Sequence, residues 1–260
     1  MRPISQLTQP EAAGLDGLLF DLDDTLLDHG KLSEAAYASL FRLQESGLRL
    51  LAVTGRPAGW GEVIARQWPV DAAITENGAV TLYASDGLVR RHDSVSEDER
   101  RRRRIRLAAL VAALREAHPE LRAADDVGAR HSDFAFDIGE HQRVAPEVVH
   151  AVCALAREHG ARTHASSVHL HLTFDGDDKA SGVVRTVRLL WGTDPTLLRF
   201  RYAFIGDSEN DAACFAAFRT TIGVKNLSGR PTVGPRFVTS AARGRGFAEA
   251  AAHLVALRGG

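Results

Sequence analysis

The sequence has few of the features that mark secreted, membrane-bound or nucleic-acid-coating proteins. It contains two cysteines, Cys153 and Cys214, which cannot form a disulfide framework, and neither belongs to a metal-type cysteine pair. No apolar run approaches the ~18 residues that span a bilayer, and the amino terminus lacks the apolar core of a signal peptide. Basic and acidic residues balance, 32 against 33, whereas nucleic-acid-coating proteins normally carry a large basic surplus. We expect a cytoplasmic globular protein with no membrane or nucleic-acid partner.

Alternating strand and helix patterns organise both ends of the chain. Short apolar runs at residues 18–20, 48–53, 72–75 and 202–205 are typical of buried strands, and helical patterns with capping signals lie between them. This βαβ order predicts a parallel sheet with right-handed crossovers, and therefore an α/β fold.

The pattern changes near residue 85. Residues 80–83 and 88–92 indicate a hairpin, and a helix is predicted to begin after Ser96. Further alternating segments flank a second helix that starts at Pro146. The sequence therefore predicts an inserted α+β unit over residues 85–172, between two parts of one core, residues 1–84 and 173–260.

A run of five arginines, Arg100–Arg104, lies in the first turns of the helix after Ser96. Three acidic residues directly before the run can offset its charge at i,i+3 and i,i+4 spacing. A single short run does not make a basic groove, so we expect a solvated helix face.

Polar residues follow four of the predicted core strands. These strand ends carry Asp21 and Asp23, then Thr54-Gly55-Arg56, then Glu76-Asn77-Gly78, and finally Asp207 and Asp211. Ligands of open parallel sheets bind at the carboxyl ends of the strands. The convergence of these segments predicts the position of the functional site.

Asp21 and Asp23 are two positions apart just past a strand, so both carboxylates can face one site. Their mutual repulsion would be relieved by a hard cation with oxygen ligands. The two carboxylates can also divide the chemistry, one as a nucleophile and the other as a general acid and base. Taken alone, the pattern also fits an acidic turn after a strand.

The segment after the second strand offers a hydroxyl at Thr54 and a backbone N–H at Gly55 that can hold a phosphoryl oxygen. A nucleotide loop built on Gly55, Gly59 and Gly61 is the alternative, but the segment has neither standard glycine-rich nucleotide motif.

Lys179 is predicted to be the first residue of a helix, where its positive charge opposes the helix macrodipole. We therefore expect its ammonium to pair with the acidic site, and a solvated surface lysine is the alternative. Asp207 and Asp211 would bring two further carboxylates there. Helix capping explains only one of them, and four carboxylates together call for a divalent ion.

In combination, these segments resemble the haloacid dehalogenase-like phosphohydrolases. FDLDDTLL, AVTGR, Lys179 and FIGDSENDA occur in the family order at plausible spacing. The insertion occupies the place of the C2 cap in that family. It looks like the cap of subclass IIB, which contains sucrose- and trehalose-phosphate phosphatases, mannosyl-3-phosphoglycerate phosphatase and phosphomannomutases. The resemblance implies a Rossmann-like three-layer core with a parallel sheet, plus an inserted α+β cap of the C2 type.

The resemblance also implies a mechanism. Asp21 would attack phosphorus to form an aspartyl-phosphate, and Asp23 would protonate the leaving group and then activate water. Mg²⁺ would be held by Asp21, the main-chain carbonyl of Asp23 and Asp207, with Asp211 in support.

The phosphoryl group would be held by Thr54, Gly55 and Lys179, and Asn210 matches a family position that often orients the lysine or the phosphate. Such a set supplies the positioning and charge neutralisation that phosphoryl transfer requires.

Candidate specificity residues lie at strand ends and on the alternating segments of the insertion: Arg56, Asn77, Arg130, His131, Ser167 and His169. Arg130 either meets an anionic group of the substrate or pairs with Asp133. His169 and His171 share one strand face, which suits hydrogen bonding to a sugar better than a metal site without a third ligand.

The sequence predicts a Mg²⁺-dependent phosphatase that hydrolyses a sugar phosphate or a glycosyl-phosphoglycerate, with the phosphate ester as its small-molecule partner. A sugar phosphomutase on the same core is the alternative, and a non-catalytic phospholigand-binding module is a weaker one because Asp21 and Asp23 are intact. We expect a monomer or a homodimer.

Overall fold

A computed structural model of the chain describes residues 1–165, 168–227, 229 and 231–259. The strands are Arg2–Pro3 (β1), Gly17–Phe20 (β2), Leu27–Asp28 (β3), Lys31–Leu32 (β4), Arg49–Val53 (β5), Ala72–Thr75 (β6), Val80–Ser85 (β7), Leu88–Asp93 (β8), Arg122–Ala123 (β9), Phe134–Asp137 (β10), Arg162–Ala165 (β11), His169–Thr173 (β12), Tyr202–Gly206 (β13), Thr220–Gly223 (β14) and Phe237–Val238 (β15). The helices are Gln9–Ala13 (α1), Glu34–Glu45 (α2), Ala58–Gln67 (α3), Glu97–Ala117 (α4), Pro146–Glu158 (α5), Lys179–Trp191 (α6), Pro195–Arg201 (α7), Ala212–Ala217 (α8) and Arg243–Leu257 (α9).

The main sheet has nine strands in the order β1-β15-β14-β13-β2-β5-β6-β7-β8. All pairs from β1 to β6 are parallel, and β7 and β8 extend the sheet as an antiparallel hairpin. Strand β2 lies between β13 and β5, and all four of its residues are buried. The predicted α/β class with a parallel core sheet is confirmed.

Side chains of β2 alternate between two hydrophobic clusters, one on each face of the sheet. Leu18 and Phe20 pack with α2 and α9, where the rings of Phe20 and Phe247 meet edge-on at 5.3 Å. Leu19 packs on the opposite face with residues of α6 and α8, among them Val183 and Phe215. Helices therefore cover both faces, which gives the three layers expected of this sheet type.

A second sheet has four antiparallel strands in the order β11-β12-β10-β9. Its core is shared with α4 and α5 and contains Leu114, Phe136, Val152 and Leu170. The predicted boundary at residue 85 falls at the end of β7, while β8 still belongs to the main sheet, and the division into core and cap stays a prediction. Within the described ranges, no helix is both long and apolar enough to cross a lipid bilayer.

The arginine run is not the uniformly solvated face that the sequence predicts. Arg100 is only 3% exposed, because its guanidinium pairs with Asp93 and, at 2.6 Å, with Asp175. Asp93 ends β8 and Asp175 follows β12, so Arg100 joins both connections between the two sheets. Burial alone would raise the pKa of Asp93, but hydrogen bonds from His131 and Arg100 hold it at about 2. The expectation is wrong for Arg100 and holds for Arg104, which is exposed.

Candidate active site

The acidic segments after β2 and β13 meet at one ammonium group. Lys179, the first residue of α6, places Nζ 2.7 Å from Asp21 Oδ1 and 2.7 Å from Asp211 Oδ1. All three side chains are buried. Burial would lower the pKa of Lys179, but the charges of Asp21 and Asp211 raise it overall, so the ammonium stays charged.

Asp211 is fixed by the backbone of its own segment as well as by Lys179. Its Oδ2 accepts hydrogen bonds from the N–H groups of Asp207 at 2.8 Å and Ser208 at 3.2 Å. A Cβ at Gly206 would lie 2.3 Å from this oxygen, so the close approach requires glycine there. The segment after β13 is therefore shaped around the Asp211 carboxylate.

Three carboxylates form a compact group that fits a divalent cation. Oxygens of Asp21, Asp207 and Asp211 all lie within 4.8 Å of one another. Burial, with the neighbouring carboxylates, raises the pKa of Asp21 well above its usual range and that of Asp207 to about 7. One ammonium does not balance three carboxylates, and oxygen donors suit Mg²⁺. Both Asp211 oxygens already accept hydrogen bonds, so Asp21 and Asp207 are the better placed ligands.

Asn226, which the sequence analysis does not single out, also lies beside this group. Its Nδ2 donates to the carbonyl oxygen of Asp24 at 2.9 Å and to Asp207 Oδ2 at 3.4 Å. Asn226 follows β14, so its place after a core strand is the sequence signal that could have found it.

The Asp23 carboxylate pairs with Arg56 rather than joining the three buried carboxylates. Arg56 donates from Nη2 at 2.7 Å and from Nε at 2.9 Å and 3.1 Å, which makes the contact bidentate. The guanidinium also lies over the ring of Trp60, 4.5 Å from its centroid. The Asp23 side chain keeps 45% exposure, so water and a substrate can reach it.

The loops after β5 and β6 are bound to each other. Thr54 is buried and its Oγ1 accepts from the Arg56 N–H at 3.1 Å, while its carbonyl accepts from the Asn77 N–H at 3.1 Å. Asn77 Oδ1 accepts from Asn210 Nδ2 at 2.9 Å, which ties these loops to the segment after β13. The structure thus brings together Thr54, Gly55, Asn77 and Asn210 at one edge of the sheet.

The candidates on the second sheet and the segments beside it are held by carboxylates. Arg130 is buried, with Asp126 at 2.9 Å and Asp133 at 3.0 Å, and its Nη1 donates to the Gly55 carbonyl at 3.2 Å. Of the two alternatives for Arg130, the structure contains the pairing with Asp133, in a buried setting.

The two histidine candidates are paired in the same way. His131 Nε2 lies 2.7 Å from Asp93 Oδ2, and His169 Nε2 lies 2.8 Å from Glu140 Oε2. Ser167 lies outside the described residues.

Glu76 is a buried carboxylate whose role the sequence analysis does not predict. It is 4% exposed and accepts hydrogen bonds from the N–H groups of Ala58, His131 and Ser132 and from the Ser132 hydroxyl. Its partners His131 and Ser132 are distant in the sequence. The one sequence signal for Glu76 is therefore its position next to Asn77 at the end of a core strand.

Comparisons with known proteins agree with this geometry. The family model of the haloacid dehalogenase-like hydrolases matches residues 18–102, the span from β2 to the first turns of α4. Over this stretch the chain is similar to the haloacid dehalogenase-like hydrolases. A phosphoglycolate phosphatase of Methanoculleus marisnigri is 25% identical to this hydrolase over 240 residues, which is 91% of this chain and 95% of the relative. The predicted enzyme class, a phosphatase, is confirmed.

Solved structures share the fold of this chain. A Thermoplasma acidophilum protein is 19% identical with a TM-score of 0.73, and the match covers 92% of this chain and 98% of that one. The sucrose-phosphatase of Synechocystis sp. PCC6803, solved with sucrose and phosphate, is 17% identical with a TM-score of 0.62 and the same coverage. At these identities the likeness is one of fold.

Proposed function

We propose that this hydrolase is a Mg²⁺-dependent phosphatase that hydrolyses a small phosphorylated metabolite through an aspartyl-phosphate on Asp21. The observation that carries the proposal is the contact of the Asp21 carboxylate with the Lys179 ammonium, inside a group of three buried carboxylates. A nucleophilic carboxylate also needs a second group that acts as general acid and base. The Asp23 carboxylate, two residues away and partly exposed to solvent, can take that role.

In the proposed reaction, each step is assigned to a side chain or a backbone N–H group of the site. The Asp21 carboxylate attacks phosphorus in line with the leaving oxygen, while Lys179 and the Gly55 N–H hold the transferring phosphoryl group with the Thr54 hydroxyl. Asp23 gives a proton to the leaving alkoxide, then takes one from the water that hydrolyses the aspartyl-phosphate.

Asp21 and Asp207 would hold Mg²⁺, together with the main-chain carbonyl of Asp23, and Asp211 would orient them and Lys179. When bound, the ion would offset the charge of the carboxylates and of the phosphoryl oxygens. This assignment is supported by the oxygen-only donor set and by the raised pKa values of Asp21 and Asp207, which mark an excess of negative charge.

The substrate we propose is a sugar phosphate or a glycosyl-phosphoglycerate, with residues 85–172 acting as a cap that selects the leaving group. The sucrose-phosphatase with the same fold supports a sugar phosphate, and the relative from Methanoculleus marisnigri adds phosphoglycolate as a compound to test. The cap's contact with the Gly55 carbonyl through Arg130 supports its place over the phosphate-binding loop.

A sugar phosphomutase remains the alternative. A mutase must also hold the second phosphate of a bisphosphate sugar, and the proposed cap would need a free cation for it. Arg130, which contacts the Gly55 carbonyl, is instead neutralised by Asp126 and Asp133, so this arginine does not supply that cation.

The test is phosphate release from a panel of sugar phosphates, glycosyl-phosphoglycerates, phosphoglycolate and p-nitrophenyl phosphate, with Mg²⁺ or with EDTA. We expect release that requires the metal and that Asp21→Asn abolishes, and the ranking of compounds identifies the substrate class. Accumulation of an isomeric sugar phosphate that requires a bisphosphate activator would instead establish the mutase. If every compound is inert with Mg²⁺, the phosphatase proposal is wrong.

A further inference from the structure

Glu76 joins the two sheets through hydrogen bonds in which it is always the acceptor. Oε1 accepts from the N–H of Ala58 at 2.9 Å and from that of His131 at 2.8 Å. Oε2 accepts from the N–H and the hydroxyl of Ser132, both at 2.5 Å, and from the N–H of Asp133 at 3.3 Å. Ala58 begins α3 in the core, whereas the other three residues directly precede the second sheet's strand β10.

These contacts favour the ionised carboxylate, against burial and the charge of Asp133, which raise the pKa of Glu76. Both partners of Oε1 are N–H groups, and two of the three partners of Oε2 are N–H groups as well. A proton on Glu76, or the amide of a glutamine, would face these N–H groups, which cannot accept, and only the Ser132 hydroxyl could accept from it. Charge-assisted hydrogen bonds of this kind are stronger than those between neutral groups, and an unmatched donor in a buried setting is costly. We call residues 130–133 the docking loop, and one core side chain, Glu76, holds the backbone N–H groups of its last three residues.

The docking loop is fixed to the same core segments that carry the proposed phosphate-binding groups. The Glu76 N–H donates to the Arg56 carbonyl at 3.0 Å, and the next N–H, of Asn77, donates to the Thr54 carbonyl at 3.1 Å. From the other side, Arg130 Nη1 donates to the Gly55 carbonyl at 3.2 Å. The position of the loop and that of residues 54–56 are thus set by one connected group of contacts.

The backbone at Glu76 is also held in an uncommon conformation. Glu76 has φ +51° and Asn77 has φ +54°, both in the left-handed region. Such residues persist where surrounding contacts determine the backbone. Here the turn directs the Glu76 side chain toward the docking loop and the Asn77 side chain toward Asn210.

We propose that Glu76 is a positioning residue that sets the docking loop over Thr54–Arg56 and thereby determines which leaving groups the enzyme accepts. The inference rests on the proposed phosphatase function. Glu76 acts through the loop and not on the phosphoryl group, so its loss should affect substrates with a large leaving group that reaches the cap. A small aryl phosphate, which offers the cap no sugar, should be affected much less.

The experiment compares Glu76→Gln with wild type on the best sugar phosphate of the panel and on p-nitrophenyl phosphate. We expect kcat/KM for the sugar phosphate to fall about tenfold to a hundredfold, the size of effect that misplacing a substrate by about 1 Å produces, and that for p-nitrophenyl phosphate to change less than about twofold. Ser132→Ala removes only the hydroxyl donor and should give a smaller effect in the same direction. Glu62→Gln, an exposed glutamate on α3, is the matched control and should change neither substrate.

Amide hydrogen exchange provides a readout that needs no substrate. In Glu76→Gln the amides of His131, Ser132 and Asp133 should exchange faster, while those of β5 and β13 keep the wild-type rate. Equal losses for both substrates would mean a purely structural role and would overturn the inference, as would unchanged exchange at these three amides. If wild type releases no phosphate at all, the proposed function fails, and the exchange result still decides whether Glu76 positions the loop.

Discussion

Lys179 and Asp21 are 158 positions apart in the chain, yet the lysine ammonium lies 2.7 Å from Asp21 Oδ1 in a buried site. The same nitrogen lies 2.7 Å from Asp211 Oδ1, so one cation serves carboxylates from two different strand ends. Because a buried charge is stable only when it is paired, the folded state depends on this contact before any chemistry is considered.

Removal of the lysine charge should therefore cost stability as well as activity. Lys179→Met leaves Asp21 and Asp211 without their shared cation, and breaking a buried pair in this way typically costs about 3–5 kcal/mol. Urea unfolding in EDTA measures this loss of unfolding free energy. Lys225→Met, at an exposed position, is the control and should stay within about 0.5 kcal/mol of wild type. Equal stability of the two variants would contradict the account of the buried site.

The carboxylate group makes stability depend on pH in the absence of metal. Burial and Asp211 raise the pKa of Asp207 from 3.8 to about 7, so between these values the folded state holds a proton that the unfolded state has lost. The free energy contributed by Asp207 is therefore present below the lower value and is lost as pH rises toward the upper one. Mg²⁺ requires ionised ligands, so its stabilising effect should grow over the same range.

Thermal unfolding from about pH 5 to about pH 8, with EDTA or with Mg²⁺, checks this linkage. The difference in Tm between the two conditions should increase with pH, and Asp207→Asn should reduce that increase. A larger effect of Mg²⁺ at the acidic end would show that Asp207 is not part of the metal site.

The buried arginine between the two sheets should matter more than its neighbours in the same run. Arg100→Ala removes the buried cation that Asp93 and Asp175 share, although Asp175 keeps Arg103 at 2.6 Å and Asp93 keeps His131. We expect a loss of about 3 kcal/mol, the lower end of the range for a broken buried pair. Arg104→Ala, at an exposed position in the same run, should change stability by less than about 0.5 kcal/mol. Matching unfolding curves for the two variants would contradict a stabilising role of Arg100 and would support the solvated helix face that the sequence predicts.

The core of the fold follows from local patterns in the sequence. Short apolar runs such as Leu18–Phe20 are flanked by helices with clear caps, and the parallel order follows from their alternation. The convergence of Asp21, Thr54, Asn77 and Asp207 follows as well, because the carboxyl ends of parallel strands share one edge. The residue roles at that edge, the cytoplasmic location and the oligomeric state remain predictions.

The contacts that join the two sheets could not be predicted from the sequence. The sequence around Arg100 contains acidic residues that can offset its charge, and nothing local shows that Asp93 and Asp175 lie closer to it. The same holds for Glu76, whose partners at residues 131–133 are more than fifty positions away. The sequence pattern does not predict strands β9 and β11, because they are short and contain few apolar residues.

The most direct test of the central claim is to trap the phosphoryl group on Asp21. With p-nitrophenyl phosphate the leaving group needs little protonation, so Asp23→Asn should still form the aspartyl-phosphate but hydrolyse it slowly. After incubation with Mg²⁺ and an acid quench, peptide mass spectrometry should find one phosphoryl group on Asp21, and the double variant Asp21→Asn/Asp23→Asn should carry none. A phosphoryl group on another residue, or phosphate release by Asp23→Asn at the wild-type rate with Asp21 unmodified throughout, would contradict the proposed mechanism.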